Sequence, residues 1–209
     1  MQHEHGIRMD YIYKYKKYAE ALYQALGEDA FYITMEKSVE KETSSKEAML
    51  RYLEFSMIES ENSGELYIPK DHDYGVSVWS KPVSREVEAE KSSIKKKFIL
   101  NQMGEQSLQT YNEIVEFMSC QAEPYINDNF WYLSILGVLP EYQGQGLGPA
   151  LVLNMLKKTD HLKVSTYLET FTPRNMSFYR RLGYKEIQSF SEPVTGADYW
   201  LMVRVPPIA

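Results

Sequence analysis

The spacing of apolar positions divides the chain into helical and extended stretches. Ile12, Tyr15, Ala19, Leu22 and Leu26 fall on one helical stripe that Gly27 ends, which predicts a helix over 11–26. Ala48, Leu50, Tyr52, Leu53, Phe55 and Met57 supply the apolar surface of a second helix over 45–58. Past Gly64 the pattern changes. Residues 65–69 and 75–80 read as two strands turned at Asp71-His72-Asp73, a hairpin closed by Lys81-Pro82. Residues 84–100 read as a charged helix and 108–120 as a better amphipathic one.

From Phe130 the apolar signal is denser. It predicts a strand over 131–138, a helix over 146–158, a strand over 163–170 and a short helix over 174–182 ended by Gly183. Strands over 184–190 and 199–205 follow, joined by a turn around Thr195-Gly196. The order α-α-β-β-α-α, then β-α-β-α-β-β, predicts an α/β fold built on a mixed sheet. No low-complexity linker divides it. Residues 1–209 therefore read as one domain, with 84–125 as a helical insertion over one face.

Composition narrows the function. A chain of 209 residues can bury one substantial core. The net charge of -6 argues against a nucleic-acid binder held by bulk charge. Cys120 is the one cysteine and sits on an apolar helix stripe, where it reads as a small buried hydrophobe. His3, His5, His72 and His161 are scattered, so no metal site is expected. Lys95-Lys96-Lys97 reads as a solvated helix face rather than an anion patch. No apolar run reaches the roughly 18 residues of a membrane span, and no apolar signal core opens the chain. These features describe a soluble, cytoplasmic protein.

The densest chemistry lies between the strand at 131–138 and the helix after it. Gly144, Gly146 and Gly148 alternate in the connecting loop, and Pro149 suits a first helical turn. Strand, glycine turn and helix together aim free backbone N–H groups at an anion. A phosphate-binding P-loop would need a Lys-Ser or Lys-Thr that does not follow Gly148. A dinucleotide fingerprint would need its third glycine one place later.

The spacing that fits is Q/R-x-x-G-x-G/A, carried by Gln143, Gly146 and Gly148. A second block follows: Leu168-Glu169-Thr170, Pro173-Arg174-Asn175 and Phe178-Tyr179-Arg180-Arg181-Leu182-Gly183-Tyr184. On these residues the chain resembles the GNAT superfamily of N-acetyltransferases. The likeness is dense over about 130–205 and faint before it. Trp131-Tyr132-Leu133-Ser134 and Trp200-Leu201-Met202 look most like the puromycin-acetyltransferase branch.

The resemblance implies a mostly antiparallel central sheet with helices on both faces, and acetyl-coenzyme A (acetyl-CoA) as acyl donor. It implies that backbone groups of Gln143, Gly144, Gln145, Gly146, Leu147 and Gly148 hold the pyrophosphate. Leu136, Gly137 and Val138 would contact the pantetheine arm and thioester carbonyl, an oxyanion-hole role. Asn175 would hydrogen-bond the arm, and can equally cap a helix. Tyr179 matches the general acid beside the cofactor sulfur, against a reading as core. Tyr184 reads as core. Glu169 is the candidate base, or a structural carboxylate. Tyr32, Tyr52, Trp79 and Trp131 read as pocket lining or as core. The implied activity is direct transfer to a small-molecule primary amine, by a monomer or homodimer without nucleic-acid or membrane partners. A non-catalytic acyl-CoA-binding protein, another acyl group and a protein-lysine acceptor are the alternatives.

Overall fold

The computed structural model describes residues 12–40, 44–70 and 72–207, so Tyr11, Asp71, His3 and His5 lie outside it. Helix α1 spans Lys16–Ala25 and buries Ala19, Ala21 and Leu22. A helix the apolar spacing does not announce, α2 (Ala30–Ser38), comes next. It is started by Asp29, whose carboxylate accepts a hydrogen bond from the Phe31 N–H at 3.0 Å. Helix α3 (Ser45–Ser63) is capped by Ser44 and runs five residues past its expected end at Ile58.

Strands β1 (Gly64–Tyr67) and β2 (Gly75–Ser80) form the expected hairpin. Helices α4 (Arg85–Met103) and α5 (Glu105–Ala122) follow. They pack with α2 and α3 around Met35, Met49, Tyr52, Ile99 and Met103. Cys120 is exposed, not buried: its stripe on α5 faces away from this cluster. Lys96 and Lys97 are solvated as expected, but Lys95 turns inward to Glu59 at 2.7 Å.

Next come β3 (Trp131–Val138), α6 (Leu153–Leu162), β4 (Thr166–Thr170), α7 (Met176–Arg181), β5 (Lys185–Glu192) and β6 (Ala197–Arg204). The sheet order is β1-β2-β3-β4-β6-β5, and only the β3–β4 pair is parallel. The helix expected over 146–158 is broken. Gly148–Leu151 is a 3-10 turn with Pro149 near its start, and α6 begins only at Leu153. Glycine and proline are the poorest helix formers, and three such residues in six prevent continuous helix. Strand β4 starts three residues later than expected. Lys163 takes the left-handed conformation (φ 57°) that caps α6.

The two faces of the sheet are covered by different helices. Val76, Val78 and Ile135 pack under α1 and α3. Trp79, Leu133, Leu168 and Met202 pack under α6 and α7. Ile135 and Leu133 are two apart on one strand, yet they face opposite ways. The cause is a β-bulge: Val78 pairs with Ile135 but Trp79 pairs with Leu133, leaving Ser134 unpaired in the register. The Ser134 hydroxyl donates to the Val78 carbonyl at 3.1 Å instead. One extra residue flips the alternation and bends the strand.

The far end of the sheet is pinned. Arg204 on β6 donates to both carboxylate oxygens of Asp160 on α6, and its Nε donates to the Leu182 carbonyl at 2.9 Å. This clamp fixes the C-terminal end of α7, the helix that carries Tyr179.

Candidate active site

The bulge has a second consequence. Strands β3 and β4 pair only at Trp131↔Thr166 and Tyr132↔Tyr167, then separate. Beyond Tyr132, one edge of β3 lacks a neighbouring strand, and its backbone N–H and C=O groups face a wedge. Buried backbone groups of this kind need partners. An extended, amide-bearing chain laid along β3 would supply them.

Leu136, Glu169, Asn175 and Tyr179 line one cavity that opens from this wedge, with a volume of about 1310 Å³. Tyr32, Tyr52 and Trp79 line it too, but Trp131 does not. The Trp131 ring sits on the other side, beneath the ammonium groups of Lys81 and Lys158. Gly137 and Val138 continue β3 from the cavity toward the glycine loop. A side chain at Gly137 would approach Leu22 of α1 to 2.7 Å, so glycine lets α1 close onto the strand there.

Gly144 and Gly146 have φ of 74° and 76°, a conformation that costs other residues about 1–2 kcal/mol. A Cβ on either would meet nothing within 4 Å, so the space beside them is open. Among the described residues, none accepts a well-formed hydrogen bond from the N–H of Gly144, Gln145, Gly146, Leu147 or Gly148. Five consecutive donors of this kind are an arrangement that can hold an anion. The side chains of Gln143 and Gln145 brace the loop instead of facing outward. Gln143 Nε2 donates to the Val138 carbonyl at 2.8 Å and Gln145 Nε2 to the Glu141 carbonyl at 2.7 Å. Phe178 of α7 packs under Gly148 and ties the loop to the helix of Tyr179.

Asn175 precedes α7, but its side chain makes no capping hydrogen bond. It lies exposed at the cavity. The Tyr179 ring is buried, edge-on to Phe178 at 5.3 Å and Tyr184 at 6.0 Å. Burial pushes the Tyr179 phenol well above the ordinary tyrosine value, with Tyr184 and Asp29 adding to the effect. The hydroxyl therefore holds its proton throughout the physiological range.

Glu169 projects from β4 on the same face as Tyr167, whose ring stacks on Tyr132 at 4.6 Å. Its Oε1 is buried without a hydrogen-bond partner among the described residues. Burial raises its carboxyl to about 8, and Tyr132 opposes this only in part. Asp29 is raised to about 6, again by burial, against hydrogen bonds from the Phe31 and Tyr32 backbone.

The raised Glu169 value has a stability consequence. The folded chain holds this proton more tightly than the unfolded chain does. Its contribution is complete below the ordinary carboxylate range and is lost as pH rises through about 8. Glu169→Gln removes that loss. Urea unfolding should show little difference from wild type at pH 5. At pH 9 the variant should be more stable by about 3 kcal/mol or more. Parallel stability curves would show that Glu169 is not desolvated.

Sequence reasoning missed Asp29, Tyr132 and Tyr167 as cavity residues. Asp29 carried a signal, an N-cap aspartate directly before Ala30-Phe31-Tyr32. Tyr132 and Tyr167 carried none, because their meeting depends on the β3–β4 register.

Residues 104–186, from α5 into β5, match the model of the acetyltransferase (GNAT) domain. Over that stretch the chain is similar to the GNAT acetyltransferase domain. The match spans the bulged strand, the glycine loop, β4 and α7. Solved structures share the fold across nearly the whole chain. A histone acetyltransferase and related acetyltransferase from Corynebacterium glutamicum superposes with a TM-score of 0.66 at 16% identity, over 93% of this chain and 92% of that one. Arylalkylamine N-acetyltransferase 2 from Aedes aegypti gives 0.58 at 14%, over 90% and 94%. The Drosophila melanogaster polyamine N-acetyltransferase gives 0.53 at 14%, over 90% and 94%. The matched domain is an acyltransferase domain, and the sheet of this chain is mixed and mostly antiparallel, as expected from the sequence.

Proposed function

We propose that this GNAT domain transfers an acetyl group from acetyl-CoA directly to the primary amine of a small molecule. The supporting observation is the convergence on one cavity of a buried carboxylate, Glu169, with one oxygen lacking a hydrogen-bond partner among the described residues, and a protonated phenol, Tyr179. The donor fits the residues present. The five N–H groups from Gly144 to Gly148 match a pyrophosphate. The edge of β3 at Leu136, Gly137 and Val138, where β4 no longer pairs and, among the described residues, the Val138 carbonyl accepts only from Gln143, matches an amide-bearing arm. Asn175, free of any cap, is available to the same arm. When bound, acetyl-CoA supplies an activated acetyl thioester. The arylalkylamine and polyamine acetyltransferases that share the fold support an amine acceptor.

The protons balance across the wedge. Glu169 receives the proton that the attacking nitrogen must shed. Tyr179 donates to the departing sulfur as the C–N bond forms and the C–S bond breaks. Exchange with water restores both side chains. A base pushed up to about 8 is better matched to an ammonium than an ordinary carboxylate is.

Glu169 can accept a proton only after it has lost its own. The rate constant kcat/KM should therefore rise with pH through about 8. Glu169→Gln should lower the plateau about 100-fold and remove that limb. A variant that keeps both the limb and the plateau would exclude Glu169 as the base.

A further inference from the structure

Two of the buried side-chain oxygens that lack a hydrogen-bond partner among the described residues are neighbours on one face of the sheet: Glu169 Oε1 on β4 and the Tyr199 hydroxyl on β6. Glu169 stands opposite Leu201 in the β4–β6 register, so Tyr199, two residues along, is its diagonal neighbour on the same face. Diagonal neighbours lie about 7–8 Å apart, within reach of aromatic and long side chains. Tyr199 is fully buried, its ring tilted against Phe171 at 5.2 Å and Phe190 at 5.4 Å. Phenylalanine would fill that slot without the cost of an unpaired hydroxyl. Burial, Glu169 and Glu192 all push the Tyr199 phenol well above its ordinary value, so the proton stays on the oxygen, available to donate. Glu192 is engaged elsewhere: its two carboxylate oxygens accept from the N–H groups of Val194 at 3.0 Å and Thr195 at 2.6 Å. Of the two carboxylates acting on the phenol, Glu169 is the one with an oxygen still to satisfy.

We infer that Tyr199 is the positioning residue of the base, its hydroxyl donating to Glu169 Oε1, directly or across one water, once that carboxyl has lost its proton. This rests on the transferase reading above. An ionised carboxylate out of water needs donors, and a hydrogen bond to the charged form is stronger than one to the neutral form. The hydroxyl therefore favours the ionised state that receives the amine's proton, and it fixes the orientation of the carboxylate. Tyr199 itself keeps its proton throughout: the O–H···O bond strengthens as Glu169 ionises and weakens as Glu169 is protonated again. The other titratable groups acting on the pair are Tyr132 on β3, Tyr167 on β4 and Glu192 on β5, with Tyr32 of α2 and Glu88 of α4 acting on the two cavity tyrosines. The Lys95–Glu59 pair, Glu116 of α5 and Tyr179 of α7 line the same cavity. All of these stay in place when the Tyr199 hydroxyl alone is removed.

The test compares wild type, Tyr199→Phe and Glu169→Gln as full chains with acetyl-CoA and 2-phenylethylamine across pH. Tyr199→Phe keeps the ring and removes one hydroxyl. The rising limb of kcat/KM should move up by about one pH unit, making the variant about tenfold slower near pH 7.5, with the loss shrinking as pH rises. An unmoved limb overturns the inference and leaves the transferase reading standing. So does a profile lowered equally at every pH, which is the mark of a structural role. A second readout needs no acceptor. With carbon-13 at the glutamate carboxyls, the resonance lost in Glu169→Gln should titrate at about 8 in wild type and about one unit higher in Tyr199→Phe. If no amine is acetylated, the transferase reading fails and this titration alone decides: a raised midpoint supports the inference, and equal midpoints overturn it. If Tyr199→Phe does not fold, the hydroxyl-bearing carbon of Tyr199 decides instead. Its carbon-13 resonance should move with the Glu169 titration in wild type and not in Glu169→Gln, and a resonance constant in both overturns the inference.

Discussion

Gly146→Trp is expected to raise the Kd for acetyl-CoA at least 100-fold while leaving the fold intact. Gly146 sits at φ 76°, with open space where its Cβ would project. Tryptophan pays the left-handed penalty of about 1–2 kcal/mol, or rotates the loop to escape it. Either way the free N–H groups of Gly144 to Gly148 lose their common aim, and the indole occupies the approach to them. Each charge-assisted bond lost costs about 1.5–3 kcal/mol, so two account for the factor. The loop is exposed, so the thermal midpoint should barely move. Calorimetry that returned a wild-type Kd would remove the loop from the donor site.

Tyr179→Phe should lower kcat about 100- to 1,000-fold and change the Kd for acetyl-CoA less than about threefold. The substitution keeps the ring contacts with Phe178 and Tyr184, so α7 stays in place. What it removes is one hydroxyl whose proton burial holds on the oxygen. The split between kcat and Kd is the decisive readout. A parallel loss of both would mean a structural role, and an unchanged kcat would end the acid assignment.

The sequence made some of this legible and hid the rest, for identifiable reasons. Strands β2 and β3 begin and end where their apolar patterns do. The glycine loop announced itself through Gly144, Gly146 and Gly148, and Glu169, Asn175 and Tyr179, all singled out from the sequence, line one cavity. The bulge at Ser134 was invisible, because the buried and half-buried alternation of β3 runs unbroken through it while the faces exchange. Helix α2 escaped notice because Met35 is its one buried residue, too little for a stripe. The chain has 17 tyrosines, and which of them meet in the cavity depends on long-range packing. Lys95 is the sharpest case. It sits in a run of three lysines that reads as solvated surface, yet packing against α3 turns it alone toward Glu59.

We propose that one site joins acetyl-CoA to a small primary amine. The most direct test is to mix the purified chain, acetyl-CoA and 2-phenylethylamine at pH 8.5, and to follow free thiol and N-acetylated product together. Equal amounts of both are expected, with release falling to background when the amine is omitted. Acetyl-CoA binding without thiol release, across this and other primary amines, would contradict it.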